Sequence, residues 1–180
     1  MTFKTLCSKI GKCSACSLCT KTNRPIPGEG SVKAKIMIVG EAPGAKEAEL
    51  GRPFVGRSGQ RLNEMLESAG MKRDDVYITN IVKARPPENR DPTEQEKSAC
   101  SKWLLWQIKL IKPTLICPLG NHASGFFIDD FAGISKCHGT LFEGKGFGVF
   151  PMYHPAVSLY NPKMKVVLFK DFAKASSLNA

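Results

Sequence analysis

Four short apolar runs punctuate this chain, separated by segments whose apolar residues recur at helical spacing. The first, Lys35-IMIV-Gly40, follows the turn-rich stretch NRPIPGEGSVK and stops at the Gly/Pro loop GEAPG. A run of that length between turn signals predicts a buried strand. From Ser58 the period changes: Leu62, Met65, Leu66 and Ala69 fall on one helical face, and Gly70 stands where the helix should end. Val76-YITNIV-Lys83 predicts the second strand, and the loop ARPPENRDP after it carries too much proline to continue a sheet. Thr93 with Glu96 three residues later has the form of a capping box, opening a helix to about Ile111 that turns Trp103, Leu104, Ile108 and Ile111 toward the core. Thr114-LICPLG predicts a third strand, His122 to Phe127 a short helix, Gly148-VFP a fourth strand, and Lys163 to Ser176 a final basic helix. Strands alternating with helices imply right-handed crossovers and a mostly parallel sheet covered on both faces. In such a sheet functional loops lie beyond the carboxyl ends of the strands, which selects GEAPG, Asn80 with the loop after it, and PMYHPA.

Length and composition narrow the class. A chain of 180 residues, 42% hydrophobic and 23% charged, suits one domain with one substantial core. No stretch approaches the ~18 consecutive apolar residues of a membrane span, and the N-terminus MTFKTLCSKIGKC has no apolar run long enough for a secretory signal. The expected compartment is the cytoplasm, with association to the nucleoid. Lys and Arg number 26 against 16 Asp and Glu, a net charge of +10 that makes nucleic acid the leading partner class.

Seven cysteines are present, three of them as Cys13-SA-Cys16-SL-Cys19. An odd count argues against a disulfide framework, and thiolates spaced by two residues can turn inward around one soft centre, as in zinc and iron-sulfur sites. Cys7, Cys117 and Cys137 read as packing residues.

The segment Gly40-EAPGAKEAELGRPFVGRS-Gly59 is rich in glycine, yet it lacks both the GxGxxG spacing and the GK[ST] ending of nucleotide-phosphate loops. It offers close backbone approach to a flat ligand, with Phe54 either a stacking plate or a core residue. Asn80, inside an apolar strand, needs partners, because burying an unpaired amide costs ~1–3 kcal/mol. An amide pairs with an adjacent carbonyl and N–H, the edge that uracil presents; a purely structural role is the alternative. His154, in YHP at a strand end, can donate a proton or a hydrogen bond.

GEAPGAKEAELGRPFVGRSG, VYITNIVKARPPENRDP, the CxxC at Cys13 and Cys16, and FPMYHPA together closely resemble the family 4 uracil-DNA glycosylases, iron-sulfur enzymes of the uracil-DNA glycosylase superfamily. The motifs run in order from about Cys13 to Leu159. The resemblance implies a single-domain α/β/α sandwich over 1–180 with a central four-stranded parallel sheet, a Cys-rich cluster-binding segment at about 7–24, and excision of uracil from DNA at the start of base excision repair. A monomer is expected. Carried over, the pattern makes Gly40 and Glu41-Ala42-Pro43-Gly44 the loop facing the glycosidic bond, Phe54 the stacking plate, Asn80 the uracil reader and His154 the donor to uracil O2, with Glu47 lining the pocket. Family 1 relatives have a water-handling aspartate at the position of Ala42; here Glu41 or a backbone carbonyl near Ala42 would orient the water.

The resemblance also implies a 4Fe-4S cluster on Cys13, Cys16 and Cys100, with a fourth cysteine where this chain has Ala84. Three thiolates with an exogenous ligand, recruitment of Cys19, or loss of the cluster are the possible outcomes. A relative that binds uracil-containing DNA with impaired turnover, and an iron-sulfur electron-transfer module, are the rival readings. The second leaves Phe54, Asn80 and His154 without a task.

Overall fold

The computed structural model describes residues 1–178; the last two residues of the expected 1–180 domain lie outside them. In chain order the elements are α1 (Phe3–Gly11), β1 (Glu29–Gly30), β2 (Ile36–Gly40), α2 (Ala45–Leu50), α3 (Arg57–Ser68), β3 (Tyr77–Asn80) and α4 (Glu94–Ile111). They continue as β4 (Leu115–Pro118), α5 (Gly120–Phe127), α6 (Ile134–Cys137), β5 (Phe142–Glu143), β6 (Gly148–Val149), α7 (Val157–Tyr160) and α8 (Met164–Ser177).

The sheet order is β1-β3-β2-β4-β6-β5. The four predicted strands form its parallel centre, β3-β2-β4-β6. The expectation of four strands is corrected to six, because β1 and β5 add antiparallel edges of two residues each. Segments so short have no hydrophobic period to read. The second strand also stops at Asn80, earlier than its apolar run suggested. Beyond it the chain stays tied to the end of β2, where Ile81 N–H donates to the Gly40 carbonyl at 2.9 Å and Val82 N–H to that of Glu41 at 3.0 Å. Likewise β6 ends at Val149, although Phe150 N–H still donates to the Ile116 carbonyl at 2.8 Å and Met152 N–H to that of Pro118 at 3.0 Å.

Side chains alternate across a strand, and the alternation of β2 builds two cores. Ile36 and Ile38 pack with Leu62, Met65, Leu66, Leu168 and Phe172, so α3 and α8 cover one face. Met37 and Val39 pack with Cys100, Leu104, Ile111 and Ala123, so α4 and α5 cover the other. The result is the expected three-layer α/β/α sandwich.

The capping box forms: Thr93 Oγ1 accepts Glu96 N–H at 3.2 Å and Glu96 Oε2 accepts Thr93 N–H at 2.8 Å. The helix α1 was not anticipated. Thr2 caps it by accepting Thr5 N–H, and Leu6 and Ile10 are its buried face. Among the described residues no helix is long and apolar enough to cross a membrane.

Candidate active site

Parallel pairing puts Gly40 opposite Asn80 at the carboxyl ends of β2 and β3. A cavity of about 150 Å3 opens there, lined by Ala42, Gly44, Glu47, Phe54, Ser58, Asn80 and His154. Gly40 lies behind this wall and makes it possible: a Cβ there would come within 2.6 Å of the Phe54 ring and collide with the Asn80 side-chain oxygen. Only a residue without a side chain lets the ring and the amide meet over the strand end.

Phe54 is 6% exposed and belongs to the core on one side, while its ring faces the cavity on the other, 5.7 Å from the His154 ring between centroids. Its φ of 49° lies in the left-handed region, which costs a non-glycine residue about 1–2 kcal/mol. Two contacts hold it there. The Phe54 backbone lies against Gly59, where any Cβ would overlap it. Glu47 Oε1 accepts the N–H groups of Val55 at 2.9 Å and Gly56 at 2.8 Å. Glu47 therefore borders the cavity as predicted, but one of its oxygens is engaged in fixing the loop that carries Phe54.

Asn80 is buried, and its Oδ1 has no hydrogen-bond partner among the described residues. Its backbone carbonyl is clamped from below by Lys83, whose Nζ donates to Asn80 O at 2.6 Å, Thr79 Oγ1 at 2.7 Å and Gln107 Oε1 at 2.7 Å. Burial pushes this lysine down to about 7. His154 Nδ1 accepts Ala156 N–H at 3.2 Å. Burial pushes the imidazole down to about 4, against an opposing pull from Glu47. The ring is neutral at pH 7, and with Nδ1 engaged as acceptor its proton sits on Nε2, free to donate.

Glu41 is displaced from this group. It borders a second cavity of about 240 Å3 that shares Ala42, Gly44 and His154 with the first. Its Oε1 is buried without a hydrogen bond, 3.8 Å from His122 Nδ1, and His122 Nε2 lies 3.4 Å from Asp91 Oδ2. Burial raises the Glu41 carboxyl, and the nearby imidazole opposes that rise.

The predicted metal ligands also converge. Cys16 and Cys19 sulfurs are 3.8 Å apart, Trp103 Nε1 donates to Cys13 Sγ at 3.3 Å, and the Lys83 N–H donates to Cys100 Sγ at 3.3 Å. Burial raises the Cys19 thiol, and Cys16, Cys13 and Cys100 raise it further. Ala84, 1% exposed, packs in the same cluster of side chains as Cys16, Cys19 and Cys100. Among the described residues no three cysteine sulfurs come within 4.8 Å of one another.

Residues 27–176 match the family model described as the uracil DNA glycosylase superfamily. The chain belongs to this superfamily. It is 45% identical over 179 residues to a type-4 uracil-DNA glycosylase of Sulfurisphaera tokodaii, covering 94% of this chain and 81% of that one. A type-4 enzyme of Archaeoglobus fulgidus is 44% identical, covering 94% of this chain and 89% of its own. A type-5 uracil-DNA glycosylase of Pyrobaculum aerophilum is 34% identical over 74% of this chain and 66% of its own.

Within this member of the superfamily, sequence reasoning missed Ser58, Lys83, Asp91 and His122. Ser58 had a signal, since it opens a helix immediately after the Phe54 loop. Lys83 had none, because a lysine ending an apolar run reads as a surface residue until its three acceptors are seen.

Proposed function

We propose that this chain removes uracil from DNA by hydrolysing its N-glycosidic bond. The observation that carries the reading is the buried, unpartnered Asn80 oxygen in a cavity walled by Phe54 and a neutral His154. Extruding a nucleotide from the helix costs a few kcal/mol, offset by stacking on Phe54 and pairing with Asn80. The amide oxygen accepts uracil N3–H while its NH2 donates to O4. Cytosine reverses that pattern and leaves buried groups unpaired. As the bond to the sugar breaks, negative charge gathers on the base, and a His154 Nε2–H aimed at O2 stabilises the transition state more than the ground state. Glu41, in the adjoining cavity, has a buried oxygen available to orient water toward the sugar. Glu47 positions the Phe54 loop. Ala42 and Gly44 present backbone to both cavities.

The residues present fit a 4Fe-4S cluster held by Cys13, Cys16, Cys100 and Cys19, with Cys19 replacing the ligand that Ala84 cannot supply. Such a cluster supplies a covalent tie between the N-terminal segment and α4, away from the base cavity. The same reading has one domain over 1–180, acting as a monomer in the cytoplasm on nucleoid DNA. The test is direct: incubation with a uracil-containing oligonucleotide, then alkali, should cut the strand at uracil. An uncut strand with fully folded protein overturns the proposal.

A further inference from the structure

The concave surface that begins at the base cavity does not end at Glu41. The second cavity shares Pro86 with a third of about 330 Å3, bordered by Asn23 and Arg85, and that one shares Thr20 with a fourth of about 600 Å3 beside Cys13 and Cys19. Charge changes along this path. Near the base cavity Arg90 is committed to Glu96, at 2.7 Å. Past Pro86 no carboxylate borders the surface, and its far end presents Lys12, Lys21 and Arg24. All three are exposed, and none makes an ion pair among the described residues.

Exposed cations usually form a solvated face with no partner. These differ because they border the last of three cavities, linked in turn through Pro86 and Thr20, that lead away from the base cavity, and no carboxylate borders the last two. The C-terminal helix α8 supplies the contrast. It is also lysine-rich, but Lys165 lies 3.4 Å from Glu64 and Lys174 donates to the Gly139 carbonyl at 2.8 Å.

We propose that the DNA strand flanking the extruded nucleotide follows this path, and that Lys12, Lys21 and Arg24 take its phosphates. The cysteine segment is then part of the DNA interface. This rests on the uracil-excision reading and adds a partner surface to it.

The test measures affinity for an oligonucleotide carrying a tetrahydrofuran abasic-site analogue, which has no base to remove, across a series of salt concentrations. Each phosphate contact contributes about 0.7–0.9 to the slope of log K against log salt. The K12Q/K21Q/R24Q variant should lose about 2 to 3 from that slope, and trimming one flank of the DNA, and only one, should reproduce the loss in the parent. A control variant, K163Q/K170Q, should keep the parent slope. Should the triple variant fail to fold, R24Q alone should lose about 0.7–0.9. A parent slope in the folded triple variant, or an equal loss in the control, overturns the proposal. Uracil release by the parent is scored separately, so its absence sinks the excision reading, whereas release with an unmoved slope sinks this one.

Discussion

The base cavity and the cysteine corner both hang on the end of β3, yet they are held in opposite ways. Asn80 closes the strand, and its carbonyl is clamped by Lys83. Three residues further on, the Lys83 N–H donates to Cys100 Sγ, and Ala84 is buried in the same side-chain cluster as Cys100. On the cavity side, groups are fixed by neutral or complementary partners: Glu47 by two N–H groups, His154 by Ala156, Phe54 by the space Gly59 leaves. On the cysteine side, burial raises the Cys19 thiol and the neighbouring Cys16, Cys13 and Cys100 raise it further, so without a bound cation ionised thiolates there would repel. The cavity is held by the fold's own hydrogen bonds and packing, whereas a bound cation would relieve the repulsion in the corner. Parts of the corner share the first strategy, since Trp103 Nε1 donates to Cys13 Sγ and the Lys83 N–H to Cys100 Sγ. There Ser17 donates to Glu96 at 3.1 Å, and Arg90 holds the Glu96 carboxyl down at about 2.

The largest expected effect breaks the cavity side of this comparison. Asn80→Asp keeps the acceptor but removes the donor to O4 and sets a carboxylate beside an acceptor-rich base. Loss of a buried hydrogen-bond match is worth about 10⁴-fold or more in discrimination. Uracil release should fall by that order and cytosine release should gain relative to it, measured as single-turnover rates on matched oligonucleotides. Unchanged uracil release would remove Asn80 from the pocket.

Next is His154→Ala, which should lower the chemical step by about 10²–10³ by removing one donor to the developing oxyanion. A loss confined to DNA affinity would make His154 a positioning residue instead. The pH profile adds a second reading. With its pKa at about 4 the imidazole is neutral through the usual assay range, so the rate should show no His154 limb between about pH 6 and pH 8. A cationic acid would instead speed the reaction as pH falls. Stability has the matching sign: the folded pKa is below the ordinary value, so the unfolded chain takes up the proton first. The contribution of His154 is therefore complete above about pH 6.5 and is lost as pH falls through about 4.

What the sequence made legible follows the same division. Continuous apolar runs found β2, β3 and β4, because strands buried on both faces need no alternation. The carboxyl ends of β2, β3 and β6 and the loops beyond them led to Phe54, Asn80 and His154, which do meet around one cavity. The two-residue edges β1 and β5 were invisible, being too short to carry a pattern. Residues whose role is set by distant partners were equally hidden. Lys83 finds Gln107 across 24 positions, and His122 reaches both Asp91 and Glu41 from another helix. Glu47 was expected at the cavity wall, but its hold on Val55 and Gly56 depends on a loop path that no local spacing specifies.

A smaller effect on catalysis, but a larger one on the metal, should come from Cys19→Ala. If Cys19 is the fourth ligand, the purified variant should lose its visible thiolate-to-iron absorbance and its iron, and its Tm should fall, while the cavity side chains keep their places and uracil release drops far less than in His154→Ala. Iron content equal to the parent's would assign the fourth position to an exogenous ligand, and a parent prepared anaerobically with neither iron nor sulfide would refute the cluster.

The smallest expected effect on excision sharpens the comparison most. Ala84 is already buried in the side-chain cluster that holds Cys100 and against which Cys16 and Cys19 pack, so Ala84→Cys adds a sulfur to that cluster without disturbing a cavity residue. The new thiol follows Lys83, whose N–H already bonds Cys100 Sγ, so the backbone there is held against the ligand set. A protein thiolate from this position should compete with Cys19, which sits on the N-terminal segment that Asn23 ties to the Arg85 carbonyl and Ser17 ties to Glu96. Iron should then leave more slowly under chelator, and Cys19→Ala should become harmless in the Ala84→Cys background, because the fourth ligand no longer comes from that segment. Uracil release should stay within about two-fold of the parent, as expected of a surface remote from the transition state. A double variant as iron-poor as Cys19→Ala alone would show that position 84 cannot reach the metal and that the corner is organised by the N-terminal segment after all.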